Sequence, residues 1–91
     1  MELKDFQKIF REKYYETDSR SGPLFLLAVL FEEVGELAEA VRKNQNVEEE
    51  LADVLFMVIS IANLYDVDLE RKLIEKYVRG DPSPRWDLPD L

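Results

Sequence analysis

Apolar residues recur at helical spacing in four successive stretches of the chain. Leu3, Phe6, Phe10 and Tyr14 share one face, with Lys4, Lys8, Arg11 and Lys13 distributed around them, which predicts an amphipathic helix over residues 2–16. The turn formers of ETDSRSGP follow, and Pro23 suits the first position of a second helix spanning residues 23–43. NQN breaks that helix; Asn46 can cap a third, with Glu49 three residues on completing a capping box, and this helix reaches residue 63 or 64. After LYDVD, with Asp66 or Asp68 as cap, a fourth helix extends to about residue 79, where Gly80 and Pro82 stop it. No repeat, second domain or strand pattern is present. The expected organisation is an all-α, four-helix domain over residues 1–80 and a proline-rich, extended tail over 81–91, in which Trp86 is an anchor for the body or for a neighbouring subunit.

Four acids do not fit simple amphipathic patterning. With about 100° per residue, Leu27, Phe31, Val34, Leu37, Ala38 and Val41 form one broad stripe on the second helix, and Glu32 and Glu39 fall on the far side. Glu33 instead lies in the sector of Leu26, Val29, Leu37 and Ala40, with Glu36 at its edge one turn along. In the third helix, LADVLFMVISIANL is apolar on nearly every side and is expected to be buried all round, with Asp53 as its one ionisable residue. Glu50, three residues earlier, shares the face of Asp53. An isolated buried carboxylate tends to become neutral, and several converging carboxylates repel unless a positive charge lies among them. A hard divalent cation satisfies this need, because Mg²⁺ takes oxygen ligands and commonly combines a few carboxylates with phosphate oxygens. The plain alternative is that Glu33 pairs with a lysine or arginine of the first or fourth helix and Asp53 makes a local polar contact.

Composition narrows the chemistry further. The 91 residues carry 20 acids against 12 bases, a formal net charge of -8, which argues against a nucleic-acid polymer as partner. Cysteine and histidine are absent, excluding disulfides, thiol nucleophiles, imidazole ligands and the Glu-x-x-His elements of di-iron bundles. The charged N-terminal stretch MELKDFQKIF lacks the apolar core of a signal peptide, and no apolar run is long enough to span a bilayer, so a cytoplasmic protein without membrane partners is expected. A core this small gains little net stability, and self-association is expected to support it.

EEVGE at 32–36 and ELAD at 50–53, within the longer blocks EEVGELAEA and EELADVL, resemble the EExxE and ExxD signature of MazG-type nucleotide pyrophosphohydrolases in the all-α NTP pyrophosphatase superfamily. The resemblance covers residues 2–79. It implies a subunit that forms homodimers or homotetramers and hydrolyses nucleoside triphosphates between the α and β phosphates. With it comes an Mg²⁺ cofactor, or Mn²⁺ in its place. By motif position Glu33, Glu36, Glu50 and Asp53 would hold the metal, with Glu32 and Glu33 as the catalytic pair. Glu32 is the accessory member, placed to orient or deprotonate water. A basic and aromatic cluster late in the last helix is matched by KYVR, which makes Lys76 and Arg79 substrate-binding candidates. For Lys76, which projects beside Leu69 and Leu73, the ordinary alternative is a stem along the core with its amine in water. Lys13, Arg20 and Asn63 are further candidate contacts not distinguished by spacing. Two rivals stand beside this reading: a phosphoribosyl-ATP pyrophosphohydrolase-like enzyme, against which the GEL after EEV speaks, and a non-catalytic helical dimerisation module.

Overall fold

The computed structural model describes residues 1–80, and their regular structure is entirely helical. The helices are α1 (Leu3–Ser21), α2 (Pro23–Lys43), α3 (Val47–Leu64) and α4 (Leu69–Leu73), the last continuing directly into a π-helical segment, Ile74–Val78. The all-α expectation holds, and α2 and α3 have the expected bounds. The tail over 81–91, including Trp86, lies outside the described residues. No helix among those described is long and apolar enough to cross a membrane.

Three local expectations need correction. The turn placed over ETDSRSGP is almost entirely helical: Ser19 Oγ donates to the carbonyl of Glu16, Arg20 pairs with Glu16 one turn back, and the break falls on Gly22 alone. Gly22 has φ 88° and ψ 160°, a combination closed to side-chain-bearing residues, and its N–H donates to the Asp18 carbonyl at 2.9 Å. Asn46 precedes α3 but does not cap it through its side chain, because its backbone is left-handed (φ 60°) and turns the amide away. Glu48, Glu49 and Glu50 occupy the first turn of α3 instead, where the exposed N–H groups favour negative charge. The fourth helix splits: Asp68 caps it by accepting from Arg71 N–H at 3.0 Å, but its last turn widens, and Arg79 N–H reaches the carbonyl of Ile74 at 2.9 Å.

Packing follows the short joints. The α2–α3 connection is three residues, 44–46, so the two helices run back along each other and make the most extensive contact in the subunit. Helix α1 covers the distal half of α3, where Phe56 meets the rings of Phe10 and Tyr14 edge-on at 5.0 and 5.3 Å. Buried apolar residues among those described are only Leu26, Ala40, Met57, Ile59 and Ala62. Leu51 and Leu55 are each 51% exposed, so within one subunit this helix is not buried all round.

A polar knot fixes α1 to the α3–α4 connection. Buried Gln7 donates to the Val67 carbonyl at 2.8 Å and to Asn63 Oδ1 at 3.4 Å, and its Oε1 accepts from Leu69 N–H at 3.1 Å. Asn63 Nδ2 returns a bond to the Gln7 carbonyl at 3.0 Å. Arg11 adds bonds to the Asn63 carbonyl and to Asp66 at 3.3 and 3.2 Å. These partners account for Asn63 structurally. Gln7→Ala strands the Leu69 N–H and the Asn63 oxygen, and is expected to destabilise the chain by about 2–3 kcal/mol, read as a lower urea midpoint at unchanged slope.

Candidate metal centre

Glu33 lies seven residues from both Leu26 and Ala40, so it continues the line of α2 that faces α3; those two neighbours are buried and Glu33 is half-buried. On α3, Glu50 is seven residues before buried Met57, and Asp53 seven before buried Ser60. The inward lines of both helices therefore change from apolar or small residues to acids at the end nearest the connection. There Glu33, Glu50 and Asp53 each place a carboxylate oxygen within 4.8 Å of the others. Glu33 Oε2 and Glu50 Oε2 are shut off from solvent with no hydrogen-bond partner among the described residues. No salt bridge reaches Glu33, Glu50 or Asp53 among the described residues, so the lysine or arginine partner of the plain alternative is missing.

Asp53 is exposed, against the expectation that α3 would bury it. Glu36 is also exposed and lies outside the three-carboxylate group, but near enough for its charge to act on both Glu33 and Glu50. Glu32 faces outward, as its helical position requires. Burial is the largest cause raising the Glu33 pKa above the ordinary 4.5, followed by the charges of Glu36, Asp53 and Glu32. Glu50 is raised in the same way, by burial first and then by Glu36, Asp53, Glu33 and Glu49.

The sign of the pH effect follows. A carboxyl whose pKa is raised in the fold imposes no penalty while protonated in both states, and destabilises progressively as pH climbs from 4.5 through the raised value. Glu50→Gln is therefore expected to melt with wild type below that window and above it at neutral pH, in metal-free buffer. A melting difference that stayed constant across pH would show that ionisation of Glu50 is not the source.

Oxygen donors alone, converging with unpartnered atoms, suit a hard divalent cation and not a soft transition metal. Of the remaining candidates, Arg20 pairs with Glu16, and Lys13 and Arg20 are exposed on α1. Lys76 is half-buried with its amine 5.4 Å from the Tyr77 ring centre, and Arg79 borders a surface cavity with Lys4 and Arg71. Neither lines the cavity beside the acids, whose walls include Glu36, Glu50, Lys43 and Asn46. Sequence reasoning passed over Gln45 and Asn46 as cavity residues, since the NQN pattern signals a helix break in either case.

Residues 21–84 match the model of the MazG nucleotide pyrophosphohydrolase domain, which takes in both acidic motifs and the whole of α2 and α3. The chain belongs to the MazG family. A relative of this MazG chain is the uncharacterized protein YpjD of Bacillus subtilis (strain 168), 33% identical over 92 aligned residues that span 85% of the chain and 77% of the relative. Helix α1, apart from its last residue, precedes the matched MazG region, which takes in the acid-bearing pair α2–α3 together with α4.

Proposed function

We propose that this MazG chain is an Mg²⁺-dependent nucleoside triphosphate pyrophosphohydrolase, cleaving an NTP or dNTP to the monophosphate and pyrophosphate. The observation that carries the reading is the convergence of Glu33, Glu50 and Asp53, two of them with buried oxygens lacking a hydrogen-bond partner among the described residues. These three residues would hold the ion, with Glu36 completing the set from the adjacent turn. When bound, the ion neutralises triphosphate oxygens and lowers the pKa of a water.

The protein's own groups supply the rest. Water adds its oxygen to the α phosphorus, the bond from that phosphorus to the α–β bridging oxygen breaks, and pyrophosphate departs carrying the bridging oxygen. A carboxylate must take the water's proton. Glu32 is suited to this, being exposed at the rim and close enough for its charge to raise the Glu33 pKa. Glu33 has the second role of fixing the acidic floor through its place on the buried line of α2.

A second copy of the chain completes the site in this proposal. Leu24, Leu27, Phe31, Val34, Ala38 and Val41 recur at alternating spacings of three and four along α2 and are all exposed, Phe31 at 65%. That is a coiled-coil seam without its partner helix. Leu51 and Leu55 extend the same need onto α3. Lys76 and Arg79, remote from the acids of their own chain, are assigned to the phosphates bound by the neighbouring one.

The test is a panel of nucleoside triphosphates with Mg²⁺, following monophosphate and pyrophosphate. Turnover of at least one substrate, lost on chelation, is the expected outcome. Cleavage confined to phosphoribosyl-ATP would favour the related enzyme. Absence of any product, with no stabilisation by Mg²⁺ plus nucleotide, would leave the dimerisation module.

A further inference from the structure

The wall between the acids and the α2–α3 connection holds a cavity of about 270 Å³. Glu36, Ala40, Lys43, Gln45, Asn46 and Glu50 line it, with Glu39 beside Lys43. Resting on the pyrophosphohydrolase reading above, we infer that this cavity receives the nucleoside end of the substrate, and that the side-chain amides of Gln45 and Asn46 read the base.

Charge decides against phosphate here. Beyond Glu36 and Glu50, which are assigned to the ion, the lining brings one carboxylate and one ammonium, Glu39 and Lys43, already paired with each other. A phosphate lying away from the ion would find no free cation among the described lining residues, whereas a neutral ring edge or a sugar hydroxyl can use the amide donors and acceptors together. Size agrees. The volume sits at the low end of small-molecule sites, roughly 300 Å³, enough for a ring-bearing fragment and too little for a whole triphosphate.

The amides are also available. Asn46 occupies an N-cap position, where an asparagine side chain ordinarily accepts a helix N–H, yet makes no capping bond. Its left-handed backbone and that of Asn44 (φ 55°) instead fix the course of the connection along the rim of the cavity. Gln45 is anchored between them by its backbone N–H on the Ala40 carbonyl at 3.0 Å, leaving its side chain free of that duty. Each amide presents a donor and an acceptor side by side, the pattern that matches adjacent donor and acceptor atoms on a base edge.

Calorimetric titration of the oligomer in Mg²⁺ with the α,β-imido analogues of ATP, GTP, CTP and UTP tests the assignment, using wild type, Gln45→Ala, Asn46→Asp and Lys43→Gln. Asn46→Asp keeps a residue that tolerates the left-handed backbone while replacing a donor by an acceptor. The expected result is that Gln45→Ala and Asn46→Asp each change the ratio of Kd values between the best and worst bases by about three- to tenfold. Lys43→Gln leaves that ratio unchanged, and Mg²⁺ alone stabilises every variant. Uniform weakening of all four analogues by Gln45→Ala, an unchanged ratio in both amide variants, or equal loss of inorganic triphosphate binding in Lys43→Gln would each overturn the inference. A wild type that turns over no triphosphate but shows the altered ratios would remove the proposed reaction and leave the base-reading cavity standing; a wild type that binds no analogue removes both.

Discussion

Glu33→Gln is expected to lower pyrophosphate release by about 100-fold or more while raising the melting temperature of the metal-free protein. The two effects have opposite signs for one reason. Glu33 stands on the line of α2 that otherwise carries buried Leu26 and Ala40, with a carboxylate oxygen that has no hydrogen-bond partner among the described residues and three other acids acting on it. Neutral glutamine relieves that repulsion and removes an oxygen ligand together. Asp53→Asn is expected to lose turnover comparably with little change in melting, because Asp53 is exposed in the subunit. Pyrophosphate assays and thermal melts on the same preparations measure both. Retained turnover in the two variants would remove the assigned centre, and a lowered melting temperature for Glu33→Gln would mark Glu33 as a structural partner instead.

Phe31→Glu is expected to give monomers at micromolar concentration and to abolish turnover while leaving helicity unchanged, since this residue is largely exposed within its own subunit. Sedimentation, circular dichroism and the pyrophosphate assay on one sample separate these outcomes, and an active monomer would contradict the two-chain site. Mixing makes the same point without disrupting assembly. Asp53→Asn and Lys76→Met chains, each inactive alone, are expected to recover activity when combined, because one site of a mixed dimer then has intact acids facing an intact Lys76. For random pairing in a twofold dimer about a quarter of sites are restored. No recovery on demonstrated exchange would mean that Lys76 serves its own chain or no site.

The acid-bearing pair was legible in the chain because its signal is local. Glu33 shares a seven-residue register with Leu26 and Ala40, and the acids at 50 and 53 lie within one turn, so periodicity alone brings them to facing surfaces. What failed was information carried by distant or missing neighbours. Asp53 lies in an apolar sequence yet is exposed, since which face of α3 is covered depends on elements distant in the chain. Gln7 and Asn63 are 56 residues apart, and no pattern around either announces their bonds. Thr17, Asp18 and Ser19 have turn chemistry but remain helical, the break needing only Gly22. The π-helical turn at Ile74–Val78 likewise has no counterpart in the spacing of LIEKYV.

Gly22 gives α1 and α2 a hinge pin in place of a loop. A Cβ there would meet nothing within 4 Å, so crowding is not what reserves the position for glycine; the backbone angle is. Inserting a single residue would swing everything upstream by about 100°, pulling the aromatic cover off Phe56 and the Gln7 knot out of alignment. Length at this joint is thus held more tightly than side-chain volume, and grafting the acidic hairpin into another scaffold would have to reproduce one dihedral angle before any contact.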